Sequence, residues 1–378
     1  MGKTKVVFIC GSLEIGRNGV GDYARRLAGE IIKTGFGSAI ISINDDKVNE
    51  NFQGKQLSDG IEIPVLRLSA SLPIANRMVQ ARQWLIQLNP EWLSLQFVSY
   101  SYNARGLPFG LGSRLVRLGA GYKWHMMFHE LWIGIEPGKY LRTAIISKLQ
   151  RFIITKGILK CLKPHVIHSH LPEYQSVLRT YGWDVKSLPL FSNIDVADVR
   201  KKLIDDGVFR VGFFNQVDSS ASIVTFLIEL KKQLAARNLK LELVFVGGAV
   251  TKMKEAGGQL EKLDIFDAPI VYTGFLQNDE LSAALQSCSL GITPVPRHAL
   301  GKSGGVAAFL LHEVPVAAPN VHPRFKENEI GFNAVELCSV IVLEPNLEKI
   351  LTLRKTMGAA KNEIQLSTVA KKFLSDLI

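Results

Sequence analysis

Cysteine is scarce in this chain, long apolar runs are absent, and acidic residues are outnumbered by basic ones. Only four cysteines occur in 378 residues (Cys10, Cys161, Cys288 and Cys338), widely separated and never as Cys-x-x-Cys. This excludes a disulfide-stapled miniature fold and the common zinc knuckles. No apolar stretch reaches the roughly 20 residues that span a bilayer, so any membrane contact is expected to be peripheral. Repeats and low-complexity tracts are also missing. No secretory leader is read ahead of the first apolar segment, Lys5 to Cys10, and the thiols have no evident partners. The expectation is a cytoplasmic protein, peripheral on the inner face of the membrane where it meets one.

What remains is globular in character, with 47% hydrophobic and 21% charged residues over a length suited to two domains. Strands are predicted at Lys5–Cys10, Ser38–Ile43, Trp92–Phe97 and Lys123–Phe128, with a helix over Gly21–Lys33 between the first two. The pattern restarts after residue 205, with strands at Phe209–Phe213, Lys240–Val246, Ile270–Tyr272 and Leu290–Thr293 and a helix over about 222–236. Such alternation specifies the α/β class with doubly wound parallel sheets. Two Rossmann-like domains are expected, residues 1–192 and 193–362, with a hinge in 186–194 and a C-terminal helix in 363–378.

The formal charge of +11 is concentrated. Between Ser101 and Lys163 stand eleven cations (Arg105, Arg114, Arg117, Lys123, Lys139, Arg142, Lys148, Arg151, Lys156, Lys160 and Lys163) against Glu130 and Glu136. Within that stretch Ile145, Ile146, Leu149, Phe152 and Ile153 share one helical face, while Lys148, Arg151 and Thr155 lie off it. The helix either packs on its own sheet or docks on anionic headgroups. No aromatic-interleaved basic motif points to nucleic acid.

Several loops follow strands at the edge where open α/β sheets bind ligands. After the first strand, residues 11–23 run through Gly16, Gly19, Gly21 and Asp22 into a helix, whose N-terminal N–H groups suit an anion. The Gly-Val-Gly lies about ten residues past the strand, later than a nicotinamide fingerprint turns, although Asp45 near the second strand's end keeps that alternative open. His129 and Glu130 follow the strand Lys123–Phe128. His168-Ser169-His170 lacks a Cys or carboxylate at ligand spacing, and no metal is expected there. Gly247-Gly248 and Gly274-Phe275 end two strands further on. The loop 297–305 places Arg297, Lys302, Ser303, Gly304 and Gly305 at the start of a small-residue helix. A cation and amides so placed suit a developing negative charge, and a simple N-cap at Ser303 is the competing reading.

The order of these features, above all VYTGFLQNDELSAALQSCSLGITPVPRHALGKSGGVAAFLLHEVPVAAP over 271–319, resembles the GT-B glycosyltransferases of the family 4 type. The resemblance implies two Rossmann-like domains facing across a cleft, with the C-terminal helix crossing back to the first. It implies a retaining, metal-independent transferase with no cofactor, using a nucleoside diphosphate sugar as donor and a carbohydrate or lipid-linked acceptor, as in polysaccharide biosynthesis. On that likeness Lys302, His129 and Arg297 are the catalytic candidates. Gly19, Gly21, Gly247, Gly248, Gly274, Phe275, Ser303, Gly304 and Gly305 would contact the donor, and Gly16, Asp22 and Glu130 the acceptor.

Two departures stand against it. Family members carry two Glu eight residues apart where this chain has Leu300 and Ala308. They carry an Arg and a Lys after the second domain's first strand, where this chain reads Asn215 to Ser222 with Asp218 of the wrong sign. A catalytically reduced binding or scaffold protein of the same fold, or a nucleotide-sugar epimerase using Asp22, His129 and Glu130, therefore stays open.

Overall fold

The computed structural model describes residues 4–134, 141–197 and 207–377; Glu136 and Lys139 of the basic stretch lie outside them, as does Ile378 of the expected last helix. The chain forms two compact units. One comprises the residues up to His170, Tyr174–Leu188 and the stretch from Ala370 onward, and the other comprises Leu171–Glu173 and Pro189–Val369.

The first unit is built on an eight-stranded sheet, comprising β1 (Thr4–Cys10), β2 (Gly37–Asp45), β3 (Phe52–Ser58), β4 (Ile61–Ser69), β5 (Trp92–Phe97), β6 (Lys123–Phe128), β7 (Val166–Ser169) and β8 (Lys186–Ser187). Its order is β3-β4-β2-β1-β5-β6-β7-β8, parallel throughout except for the β3–β4 hairpin. Strands covered on both faces must be apolar on both faces, and Val6 to Cys10 and all of β5 are buried. The hairpin closes through Asp59 (φ 49) and Gly60 (φ 76), the left-handed pair that matches strand twist. β1 has β2 on one side and β5 on the other, so the winding direction reverses between β1 and β5.

The second unit has six parallel strands: β9 (Val208–Phe214), β10 (Lys240–Val246), β11 (Val271–Gly274), β12 (Leu290–Ile292), β13 (Val316–Ala317) and β14 (Ile341–Val342). Their order is β11-β10-β9-β12-β13-β14, and the winding reverses between β9 and β12. A core runs over one face through Leu285, Leu300, Ala308, Phe309 and Val316, and another over the opposite face through Phe213, Phe226, Leu243 and Phe245.

Two elements differ from the sequence-based expectation. The basic helix is α-helical over Leu141–Phe152 and continues as a π-helix over Ile153–Leu159. Its apolar face is not fully covered, because Ile145 is 52% and Phe152 60% exposed. The expected last helix, 363–378, is observed over Leu366–Asp376, and a separate short helix, Gly358–Glu363, precedes it.

Candidate functional site

In the first unit the carboxyl ends of β1 and β5 meet at the reversal of winding, where parallel sheets leave a crevice. The loop after β1 enters the helix Gly19–Lys33, whose N-cap Asn18 accepts from the Gly21 N–H at 2.8 Å. A Cβ on Gly21 would stand 2.5 Å from the Ser12 carbonyl oxygen, so glycine is needed there for close packing of loop on helix. Gly19 has open space around it, whereas Gly21 is buried. Gly16 donates to Asp22 Oδ1 at 3.2 Å, and Arg25 bonds the same oxygen. Asp22 thus ties its own loop. Asp45 is fully buried and accepts from Ser12, Leu13 N–H, Ser42, Lys47 N–H and Arg67. Burial opposes its ionisation, but these bonds, led by Arg67, outweigh that and hold its carboxyl below the ordinary range. No capacity is left on Asp45 for a cofactor ribose.

His129 follows β6 directly and is half-buried, its ring edge-on to Tyr23 at 4.9 Å. Both its nitrogens are engaged by protein groups: Nε2 faces Gln96 Oε1 at 2.9 Å and Nδ1 faces His170 Nε2 at 3.3 Å. The network continues in both directions. His170 Nδ1 donates to the Leu188 carbonyl at 2.8 Å, and Gln96 Nε2 reaches Ser94 Oγ at 2.8 Å. Ser94 Oγ meets His125 Nδ1 at 2.7 Å, His125 Nε2 meets His168 Nδ1 at 2.9 Å, and His168 Nε2 meets Asp376 Oδ2 at 2.9 Å. Burial pushes all four rings below the ordinary histidine value, His170 to about 4. Asp376 is held down at about 2, chiefly by the bond from His168 and then by Lys186. Glu130, next to His129, is exposed. Among the described residues no three His, Cys, Asp or Glu side chains are grouped to hold a metal ion.

In the second unit the strand ends converge likewise. Gly247 (φ 73), Gly248 (φ 75) and Gly274 (φ 65) take left-handed conformations after β10 and at the end of β11, and Gly247 bridges to Gly274. Gly247 donates to Thr273 Oγ1 at 3.0 Å, and a Cβ on it would lie 2.6 Å from Asn215 Oδ1, at the end of β9. Phe275 is 83% exposed beside them. Across the reversal of winding, residues Arg297–Lys302 form a 3-10 turn and Ser303 caps the helix Gly304–Leu311, accepting from the Val306 N–H at 3.3 Å. A Cβ on Gly305 would sit 3.5 Å from the Phe214 carbonyl, which places this helix start against the end of β9. Lys302 and Gly304 are exposed at it.

Arg297 is oriented differently. It is 8% exposed, and its guanidinium donates to the carbonyls of Ala318, Glu327 and Leu343, holding the 3-10 turn on its neighbours. Leu300 and Ala308, which stand where the resembled enzymes carry carboxylates, are 1% and 0% exposed and belong to the core. Sequence reasoning missed Asn320, which donates to the Pro294 carbonyl at 2.9 Å and accepts from Ser220 at 3.0 Å, linking the loops after β12 and β9. Its only signal is its place three residues beyond β13. Sequence reasoning also missed Ser94 and Gln96, whose signal is a period-two polar pair inside an otherwise apolar strand.

Two units of this topology define the GT-B architecture, and solved structures agree over 99% of the chain. A glycosyltransferase from Rickettsia africae ESF-5 matches with a TM-score of 0.58 at 13% identity, covering 98% of that chain. A UDP-forming α,α-trehalose-phosphate synthase from Burkholderia xenovorans, solved with glucose-6-phosphate, matches at 0.57 and 12%, covering 99% of it. A putative UDP-N-acetylglucosamine 2-epimerase from Listeria monocytogenes matches at 0.55 and 12%, covering 96% of it. No family model and no curated protein matches the sequence.

Proposed function

We propose that this protein is a retaining, metal-independent glycosyltransferase that moves a hexosyl group from a nucleoside diphosphate sugar to a carbohydrate or lipid-linked acceptor. One observation carries the reading. In the second unit the ends of β9, β10 and β11 and the capped helix start at Ser303 converge at the reversal of winding, where backbone N–H groups and an exposed lysine suit a diphosphate. The activities for which the solved neighbours are named support it.

In such a transfer the bond from the sugar's anomeric carbon to the diphosphate oxygen breaks, and its electron pair leaves with the diphosphate. The acceptor hydroxyl bonds to the same face of that carbon, and its proton ends on the released diphosphate. Lys302 and the amides of Gly304 and Gly305 would stabilise the departing charge, with Arg297 holding their loop. Gly247, Gly248, Gly274 and Phe275 would border the nucleotide. Loss of one such electrostatic contact costs about 10²–10³-fold in kcat. The first unit, through Gly16, Gly19, Gly21, Asp22, His129 and Glu130, would receive the acceptor.

A lipid-linked acceptor and an anionic membrane surface are supported by a groove of about 340 Å³ on the first unit. It lies between the helices Ile74–Leu88 and Leu111–Leu118, with Ile74, Met78 and Val79 apolar and Arg82, Arg114 and Arg117 basic. The exposed Ile145 and Phe152 of the neighbouring basic segment add to that character.

A second reading, a binding protein of this fold without transfer activity, is favoured by Leu300 and Ala308, which leave the ribose without its usual carboxylate. Titration with UDP, GDP and ADP by calorimetry, with Lys302→Ala alongside, separates the two. Selective binding of one nucleotide, weakened in the variant, supports the transferase; no binding at millimolar concentration favours the second reading. Turnover of the sugar nucleotide into its epimer without acceptor would identify an epimerase instead.

A further inference from the structure

The buried histidine chain of the first unit ends on an acceptor at both extremities. At one end stands the Asp376 carboxylate, and at the other the Leu188 carbonyl, which can only accept. Between them lie six relay groups, His168, His125, Ser94, Gln96, His129 and His170, joined by seven contacts of 2.7 to 3.3 Å. A neutral imidazole, a hydroxyl or an amide passes one proton along such a chain. Six neutral groups supply six protons to seven contacts. One contact would then bring two lone pairs together, which a largely buried network does not tolerate cheaply.

We propose that this chain holds one proton more than its neutral groups supply, and that the charge His129 presents at the ligand edge of the sheet is thereby set by Asp376 on the C-terminal helix. Two arrangements satisfy all seven contacts. With the Gln96 amide nitrogen toward Ser94, bonds run from Gln96 through Ser94, His125 and His168 to Asp376, and the additional proton lies on His129 or His170. With that amide turned over, the bonds between His129 and His168 run the other way while the terminal bonds to Asp376 and Leu188 are unchanged, His129 donates to His170, and the proton lies on His168 or His125. Moving the proton between the ends requires reversing the amide and the hydroxyl between them, so the two ends are coupled.

The surroundings decide the balance. His168 faces Asp376, with Lys186 on that carboxylate's other oxygen at 2.7 Å and Lys372 also near enough to be felt. Phe373 packs against the rings of His125 and His168, and Tyr23 against those of His129 and His170. Burial opposes a charge on any ring and outweighs the other influences at His168 too, but among the described residues Asp376 is the one carboxylate in bonding contact with the chain, and it favours a charge at the His168 end over one at the His129 end. His129 is accordingly a positioning residue whose tautomer follows the far end of the chain. This inference does not depend on the proposed transfer reaction.

The test is nitrogen-15 spectroscopy of the histidine rings in the full-length protein near neutral pH, where imidazolium and the two neutral tautomers give distinct shifts. The expected result is one additional proton among His125, His129, His168 and His170, either localised or shared. Four neutral rings would overturn the proposal. In Asp376→Asn the amide can donate to His168, so the chain balances with neutral groups and the additional proton should vanish; its persistence would overturn the count. If that variant does not fold, Lys186→Met removes a half-exposed ammonium and should retain the proton to higher pH. An unchanged or lowered titration there would also refute the proposal.

Discussion

Arg67 and Asp45 meet twice in the first unit, Nε to Oδ2 at 2.8 Å and Nη2 to Oδ1 at 3.2 Å, with the carboxylate fully buried. Arg67 also reaches Glu14 at 2.8 Å in the loop after β1, so one guanidinium joins the ends of β2 and β4 to the candidate acceptor loop. Removing one partner leaves the other charge buried without compensation. Arg67→Ala is expected to cost about 3–5 kcal/mol, read from urea unfolding. Because Asp45's carboxyl is held below its ordinary value, its contribution is present above that value and fades as pH falls toward the lowered one.

His170 provides a second dependence on pH. Burial takes its value from 6.5 to about 4, so between those limits the unfolded chain binds the proton that the folded chain refuses. Stability should therefore be full above about 6.5 and decline on acidification toward about 4, by a contribution on the order of 3 kcal/mol. Urea midpoints across that range check the slope, and His170→Gln should flatten it. A midpoint that does not change from pH 7 to 4.5 would contradict this account.

Gly247 and Gly304 make a matched pair in the second unit. At Gly247, with φ 73 and Asn215 Oδ1 2.6 Å from where a Cβ would stand, alanine is expected to cost about 1–3 kcal/mol and to weaken nucleotide binding. At Gly304, exposed and with nothing within 4 Å, alanine should leave the unfolding midpoint nearly unchanged. Calorimetry and thermal melts on both variants check the contrast.

The groove between the helices Ile74–Leu88 and Leu111–Leu118 makes a prediction independent of catalysis. Among the described residues Arg82, Arg114 and Arg117 form no ion pair. Each basic side chain near an anionic surface is worth about 1 kcal/mol, so replacing all three with glutamine should weaken binding to phosphatidylglycerol vesicles by about 100-fold. Co-sedimentation against phosphatidylcholine vesicles reads it, and equal binding to both lipids would remove the membrane from the proposal.

Local pattern carries far in some places and stops in others. Val6 to Cys10 and Trp92 to Phe97 are apolar on both faces, and only a doubly covered parallel strand accounts for that, so both strands are legible in the residues themselves. The β3–β4 hairpin is not. Phe52, Leu57 and their polar neighbours lack strong alternation, and the turn at Asp59-Gly60 is a two-residue signal. Arg297 and Lys302 look equivalent as cations five positions apart, yet one is engaged by three carbonyls of its own framework and the other is exposed. Loop composition does not encode that difference, because it depends on which carbonyls the 3-10 turn happens to cover.

By itself the sequence determined the α/β class, the two parallel sheets and the glycine-bearing strand ends, because hydrophobic periodicity and the steric freedom of glycine are local properties. Only the tertiary structure decided that residues as distant as Ser94, His129, His168 and Asp376 form one hydrogen-bonded chain. Sheet order β5-β6-β7 brings their strands side by side, and hydrogen bonding requires atoms within about 3 Å of each other, a condition set by register and packing and not by spacing along the chain.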